Sequence, residues 1–444
     1  MSAAFVRQPY LSWGRVIRRD HSVARPQYRD ELAGLLAQAR GEGATVLGAG
    51  LGRSYGDSGL NPEGRLICGR ALDRFIALDL DSGVLRAEGG ASLDAILRLI
   101  VPHGWFLPTT PGTRFVTLGG AIANDVHGKN HHLAGSIGCH VRAIGLLRSD
   151  RGRLELSSEQ SPDLFFATLG GLGLTGFIEW AELQLVRTPS SFLDQEAVGF
   201  SGLDGYFDLV DDSNARFEHV AAWIDCSASG GALGRGVMFR ANWSQHGGLI
   251  SHATRMKLRV PLDAPGWTLN PLSVKAFNAI TYALQSSKRG VRRVPYASVF
   301  YPLDAIGDWN RLYGAAGFYQ HQSVAPPGAE RETLREMLEL IAASGQGSFL
   351  AVLKSMGARD SGGLISFPRP GASLALDFPN RGRRTVDLLE RLDRIVVDAG
   401  GRIYPAKDGR MFAETFRAGY PRWPALEALR DPLFQSAFWR RVTQ

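Results

Sequence analysis

Three glycine-rich stretches, 48–57, 111–120 and 170–176, fall in the first 180 residues, each beside a short apolar segment that reads as a strand. Glycine has no Cβ, so it reaches positive φ and lets backbone N–H groups close on an anion; repeated glycine turns at strand ends predict a large phosphate-bearing ligand held by main chain. The chain carries 53 glycines in 444 residues, well above the average usage of about 7%, and these turns hold much of the excess. The pattern points to a nucleotide enzyme.

At 44% hydrophobic and 21% charged, the chain is ordinary for two or three globular domains. A formal charge of +7 favours anionic partners: a phosphorylated cofactor, a phosphorylated substrate or an acidic membrane surface. Nucleic acid is disfavoured, because Lys and Arg are scattered without a basic tail or a nucleic-acid-binding motif. The one local basic run, 287–293, reads as a solvated loop. Cys68, Cys139 and Cys226 show no CxxC spacing, which argues against a disulfide framework or cysteine zinc site and fits a reducing compartment. The N-terminus lacks a signal-peptide pattern, and no apolar run reaches the roughly 18 residues of a spanning helix. A cytoplasmic chain is expected, with peripheral contact at the inner membrane left open.

Residues 45–185 alternate short strands (45–48, 85–88, 177–185) with glycine turns, and one helix at 93–100 places Leu93, Ile96, Leu97 and Ile100 on a single face. This is α+β patterning. From about residue 295 the spacing becomes regular: strand 317–324, helix 329–343 with Leu334, Met337, Leu338 and Ile341 in one stripe, and strand 348–354. The unit then recurs as strand 373–378, helix 385–399 with Leu388, Leu389, Leu392, Ile395 and Val396 apolar, and strand 402–407. That βαββαβ order predicts a split, ferredoxin-like sandwich. Both closing strands end in lysine, Lys354 and Lys407. The tail reads as a docked helix with Asp431 as N-cap and Leu433, Phe434, Phe438 and Trp439 buried. No low-complexity linker intervenes, so the second half is expected to pack directly on the first.

The first glycine stretch is not a Rossmann fingerprint, since Arg53 stands where the third glycine of GxGxxG belongs and no helix begins behind it. Gly52-Arg-Ser-Tyr-Gly56 fits GxSxG, yet a nucleophile elbow needs a helix straight after the serine. His127, His131, His132 and His140 resemble a metal site in composition only. Gly128, Gly135 and Gly138 are expected to break any helix aligning them, HExxH is absent, and no metal is expected. The remaining choice lies between a cofactor-lining loop and a surface loop; Lys129 and the histidines that follow Gly119 and Gly120 favour the first. Lys354 and Lys407, at equivalent strand ends of a repeat, are expected to converge on a pocket. Gln320 and Gln322 share one side of their strand, which suits sugar hydroxyls or a structural amide pair equally.

Gly50-Leu-Gly-Arg-Ser-Tyr-Gly-Asp57, Gly119-Gly-Ala-Ile-Ala-Asn-Asp-Val-His-Gly-Lys-Asn-His-His132, Gly173-Leu-Thr-Gly176, Trp309-Asn-Arg-Leu-Tyr-Gly314, Ser366-Phe-Pro368, Asp377-Phe-Pro379 and Ala406-Lys-Asp-Gly-Arg410 carry a family resemblance. From about residue 10 to the C-terminus the chain resembles the flavoprotein oxidase subunits of decaprenylphosphoryl-ribose 2-epimerase, in the vanillyl-alcohol-oxidase superfamily. The resemblance implies a two-subdomain FAD-binding domain (1–190, completed by 401–444) and a substrate domain (191–400) built on an antiparallel sheet flanked by helices. It implies noncovalent FAD, oxidation of the C2 hydroxyl of a polyprenylphosphoryl-ribofuranose, a separate short-chain reductase that completes the epimerisation, and quinone or oxygen as electron acceptor. Oxidation of another sugar, alditol or aldonolactone, and flavin or partner binding without catalysis, are the competing readings.

Residue by residue, the resemblance puts Arg53, Ser54, Tyr55, Gly112, Thr113, Gly119, Gly120, Ala123, Asn124, Val126, His127, Gly173, Ile178, Tyr404 and Lys407 around FAD. It puts Gln320, Gln322, Lys354, Trp223, Ser373, Ala375 and Lys129 on the substrate side, with Tyr301 beside them. Lys407 is the expected catalytic group, with His127 and Tyr301 as proton-relay partners: loss of a hydride needs a group that takes or stabilises the hydroxyl proton. The sequence departs from the family where Ala375 replaces its pocket cysteine and Ser373 its neighbouring asparagine, and Asn124 and Leu172 also differ. A missing thiol removes a nucleophile and no redox group, so oxidation is expected to persist with an altered pocket wall.

Overall fold

The apolar segments of the N-terminal half pair into two main sheets, with Trp105–Phe106 and Val186–Arg187 forming a small separate pair. In the computed structural model, which describes residues 3–251 and 258–444, β1 (Val6–Leu11), β2 (Arg18–Ala24), β3 (Val46–Ala49) and β4 (Arg65–Cys68) line up as β1-β2-β4-β3. Helix α1 (Asp30–Gly41) covers this sheet through Leu32, Leu35, Leu36 and Ala39. β5 (Phe75–Asp79), β6 (Val84–Glu88), β7 (Val141–Arg148), β8 (Gly152–Ser157) and β9 (Phe177–Gln184) form an antiparallel sheet in the order β5-β6-β9-β7-β8. Between them α2 (Leu93–Ile100) starts where Ser92 Oγ accepts from the Ala95 N–H at 3.1 Å, and its apolar stripe is fully buried. Each such side chain gains about 1.5–3 kcal/mol on burial, so packing rather than helix propensity holds this short helix. α3 (Leu118–Ala123), capped by Thr117, follows the second glycine stretch.

The rest of the chain builds one eight-stranded antiparallel sheet from two units of identical connectivity. The first runs β10 (Phe192–Phe200), α4 (Leu203–Arg216), β11 (His219–Ile224), β12 (Gly236–Trp243), α5 (Pro271–Ser286), β13 (Arg292–Pro295). The second runs β14 (Phe318–Ala325), α6 (Glu330–Ser344), β15 (Ala351–Met356), β16 (Gly371–Pro379), α7 (Arg383–Asp398), β17 (Arg402–Ile403). The sheet order is β13-β10-β12-β11-β15-β16-β14-β17, and the units join where Ala222 and Trp223 pair with Leu353 and Val352. The predicted sandwich is therefore half of a duplicated arrangement.

Strand alternation divides the two faces of this sheet. On β16, Leu374, Leu376 and Phe378 enter a core with α4, α6 and α7, while Ser373, Ala375 and Asp377 face the other way, toward the N-terminal half. α5 breaks the symmetry. Val220, Ala222 and Met238 pack into the same core as α4, whereas Gly199 faces Ser286 of α5 and Thr281 and Gln285 reach the opposite side with Phe239.

Three local expectations are corrected. The last strand stops at Ile403, because residues 404–407 close a turn in which Lys407 N–H donates to Tyr404 O at 3.0 Å. Asp431 caps no helix: its carboxylate is taken by Ser149 N and Oγ, both at 2.6 Å, and by Leu433 N. The terminal helix α8 (Ala437–Thr443) begins later, on the Ser436 cap. The basic run at 287–293 is only partly loop, since Arg292 and Arg293 open edge strand β13 against β10. Among the described residues no helix is long and apolar enough to cross a membrane.

Candidate functional site

A cavity of about 1010 Å³ lies between the glycine turns and the cavity-side face of the large sheet, at the upper end of the roughly 300–1,000 Å³ typical of ligand sites. Gly50, Gly52, Gly112, Gly119 and Gly173 line its N-terminal wall. Two glycines there are dictated by contact rather than by an anion. A Cβ on Gly50 would sit 2.3 Å from Thr117 Oγ1, and one on Gly56 would sit 1.7 Å from the Asp408 carbonyl oxygen. The first lets two glycine stretches meet; the second lets the turn carrying Lys407 lie on the first stretch. Tyr55 N–H then donates to Ala406 O at 3.0 Å, and Arg441 of α8 joins Asp57 (2.8 Å) to Asp408 (2.9 Å). Arg410 holds Asp393 on the far side of the same turn at 2.6 Å. Removing one partner of such a buried pair costs about 3–5 kcal/mol, so the lysine turn is fixed at both ends.

The opposite wall comes from neighbouring strands in register. Trp223, Val352, Ala375 and Gln322 form one row across β11, β15, β16 and β14, with Lys354 opposite Ser373 and Gln320 opposite Asp377 in the adjoining pairs. Gln322 Nε2 lies 3.1 Å from His127 Nε2, bridging the two halves of the chain, and 3.4 Å from Ser373 Oγ. Gln320 donates to Asp377 at 2.5 Å, and Tyr313 OH reaches the same carboxylate at 3.4 Å. Lys354 Nζ donates to Gly128 O at 3.3 Å, Lys129 donates to Val299 O, and Lys407 Nζ stands 4.0 Å from the centre of the Tyr55 ring. The convergence of Lys354 and Lys407 survives although neither ends a strand: Lys354 lies inside β15, and Lys407 follows β17 in the turn.

Burial sets the charge states here. It pushes Lys354 down to about 7, helped by Lys129 and Lys407, and Lys129 down to about 8. It lowers Lys407 and raises Asp377, whose carboxylate in turn favours the Lys407 ammonium. Burial, reinforced by Lys354, His131 and Lys407, holds His127 well below the usual imidazole range, so this ring is neutral at neutral pH. Its Nδ1 is buried and has no protein partner among the described residues. Several amines poised near neutrality in one cavity are a signature of proton-handling chemistry.

Of the residues predicted from sequence, all but Tyr301 line this cavity. Tyr301 is buried behind its wall, packed near Tyr296 and Phe300, and its hydroxyl meets Thr110 Oγ1 at 2.6 Å; Thr110 and Phe300 line the cavity, and Tyr301 does not. The direct relay role expected for Tyr301 therefore does not fit its position. The histidines take separate partners: His131 Nδ1 accepts from Gly357 N, while His132 and His140 meet the Phe217 and Ala134 carbonyls. One helical turn, His131–Ala134, does fit between Gly128 and Gly135. Sequence reasoning missed Trp13, under the Arg53 guanidinium at 4.2 Å, and Asp304, which accepts from Arg114 N–H at 3.0 Å. It also missed Asp377, and Thr281 and Gln285 on the inner side of α5.

An FAD molecule fits this donor set. The long wall of glycine backbone suits a pyrophosphate, and the N–H groups of Gly52, Arg53 and Ser54 have no protein acceptor among the described residues. The orphaned His127 Nδ1 and the cluster of Gln322, Tyr404 and Lys407 stand where the glycine wall meets the sheet.

Residues 21–156 match the FAD binding domain family. Over 97% of the chain and 96% of the relative's length, the sequence is 36% identical to decaprenylphosphoryl-β-D-ribose oxidase of Mycolicibacterium smegmatis. It is 23% identical to L-gulono-1,4-lactone dehydrogenase of Mycobacterium tuberculosis over 98% of both chains. A rice mitochondrial L-galactono-1,4-lactone dehydrogenase matches at 29% over 29% of the chain and 23% of its own length.

Proposed function

Because the chain belongs to the family of decaprenylphosphoryl-β-D-ribose oxidases, FAD-dependent oxidoreductases acting on a CH–OH group, we propose that it oxidises the C2 hydroxyl of a polyprenylphosphoryl-β-D-ribofuranose to the 2-keto sugar. The observation that carries this reading is the meeting of Lys407, Lys354, Gln320, Gln322 and neutral His127 at one end of a cavity whose other end is glycine backbone. Bound FAD supplies the two-electron acceptor. The chain's own residues handle position and proton. Lys407, disfavoured as a buried cation, takes the hydroxyl proton at Nζ, and Asp377 behind it stabilises the ammonium that results. Gln320, anchored on Asp377, and Gln322, anchored on His127 and Ser373, present fixed amides to the sugar hydroxyls. Lys354 and Lys129 offer positive charge for the phosphate, and the buried wall excludes water.

The finer division into a two-part FAD domain (1–190 with 401–444) and a substrate domain (191–400) belongs to this reading, supported by the glycine turns on one side and the single large sheet on the other. A 2-ketone returned to the epimeric alcohol requires a separate reductase, and turnover requires quinone or oxygen. The test is product identification. Purified protein, given polyprenylphosphoryl-ribose, free ribose, alditols and aldonolactones, yields a 2-keto sugar from the lipid-linked pentose alone; preferential oxidation of an alditol or lactone would transfer the assignment to that chemistry.

A further inference from the structure

Helix α5 is built inside out. Its inner side carries Asn278, bonded to Asp225 Oδ1 and Ser348 O at 3.0 Å each, together with Thr281 and Gln285 at the cavity. Its outer side exposes Leu272 (80%), Phe277 (50%), Ile280 (59%) and Leu284 (62%), the last three at the i, i+3, i+7 spacing of one face. Trp267, Leu262 and Leu258 just before the helix, and Val291 just after it, are also exposed. More than half of the large apolar side chains exposed among the described residues lie between Ile250 and Val291. Exposed apolar side chains concentrated in one segment mark an interaction surface.

The charge around it selects the partner. From 258 to 295 the sequence has Arg259, Lys275, Lys288, Arg289, Arg292 and Arg293 against one carboxylate, Asp263, which Arg15 and Arg311 already hold. Among the described residues no carboxylate pairs with Lys275, Lys288, Arg289 or Arg292. A protein interface has a charge-depleted core and is depleted in Lys, whereas an apolar helix face flanked by unpaired Lys and Arg, with a Trp at its shoulder, matches the acyl and headgroup layers of an anionic bilayer.

We propose that α5 and its flanks form the membrane-docking surface of this protein: the helix lies in the interface of an anionic bilayer with Phe277, Ile280 and Leu284 among the acyl chains and Lys275, Lys288, Arg289 and Arg292 among the headgroups. The inference rests on the reading of a lipid-linked substrate, because the same helix separates cavity from bilayer and gives a polyprenyl tail a route between them.

The experiment uses the FAD-loaded full chain and sedimentation with vesicles of phosphatidylcholine alone or mixed with phosphatidylglycerol. Wild type cosediments with the anionic vesicles, less so as salt rises, and weakly with the neutral ones. The Phe277→Ser/Ile280→Ser/Leu284→Ser variant binds at least about tenfold more weakly, as does Lys288→Glu/Arg289→Glu, while both keep wild-type circular dichroism, flavin absorbance and oxidation of a short-chain, water-soluble substrate analogue. Wild type that ignores anionic vesicles, or a triple-serine variant that binds them as well as wild type, overturns the proposal. Concentration-dependent self-association of wild type that the triple variant loses, with no vesicle binding, overturns it in favour of a second copy of the chain. Failure of the oxidase reading looks different: no variant, wild type included, oxidises the analogue while vesicle binding persists.

Discussion

The two six-element units of the large sheet share one connectivity and use it for opposite ends. In the second unit, α6 and α7 turn Leu338, Ile341, Leu389 and Leu392 into the core, which leaves the other face of β14, β15 and β16 free to carry glutamines, a lysine and an aspartate. In the first, α5 crosses to the cavity side, offers it Thr281 and Gln285, and leaves its leucines in solvent. Topology alone thus fixed neither the chemistry nor the fate of the apolar residues; the side each helix takes decided both.

The two units should differ most where the sheet face of the second meets the Lys407 turn. Lys407→Met should lower the rate of flavin reduction by lipid-linked ribose by about 10²–10⁴-fold with flavin content unchanged, read by stopped-flow absorbance; a similar loss from Trp223→Phe in the first unit would erase the distinction. Next come the two helices. Leu389→Ala on α7, fully buried, should cost about 2–5 kcal/mol in denaturant unfolding, whereas Leu284→Ala on α5 should stay within about 0.5 kcal/mol.

A smaller effect tests the buried amines. Lys354 is held near 7 in the folded chain and at its ordinary 10.5 when unfolded. Below about 7 both states carry the proton, and the penalty of burying the charge is fully present. Between about 7 and 10.5 the unfolded chain binds more protons, so this lysine makes stability rise with pH across that window. Denaturation of wild type and Lys354→Met from pH 6 to 10 should show a shallower rise in the variant; parallel curves would mean that Lys354 is not held as a buried amine.

The second unit was legible in the sequence because its helices put apolar residues inward at helical spacing and its strands alternate, so order, stripe and the shared face of Gln320 and Gln322 followed directly. The first unit was not. α5 has a helical period as clear as that of α6, but periodicity gives a face and not its direction, and an apolar face normally turns to the core. The glycine wall was visible as composition, while the contacts that require Gly50 and Gly56 join segments far apart in sequence. Lys407 was found by resemblance and by its expected place at a strand end, yet its anchors, Asp377 on β16 and Arg441 on α8, come from distant elements that no local pattern links. Tyr301 was misplaced for the same reason: its neighbour Thr110, just before the second glycine-rich stretch, is 191 residues away in sequence.

On the proposed function, a flavin held by the N-terminal glycine wall meets, at Lys407, a sugar presented by the second unit of the sheet. Anaerobic titration of the purified holoprotein with polyprenylphosphoryl-β-D-ribose tests it most directly. The expected result is bleaching of the flavin band with one equivalent of 2-keto sugar formed per flavin, and little bleaching in Lys407→Met. A flavin spectrum unmoved by this substrate, or bleached equally in the variant, would contradict it.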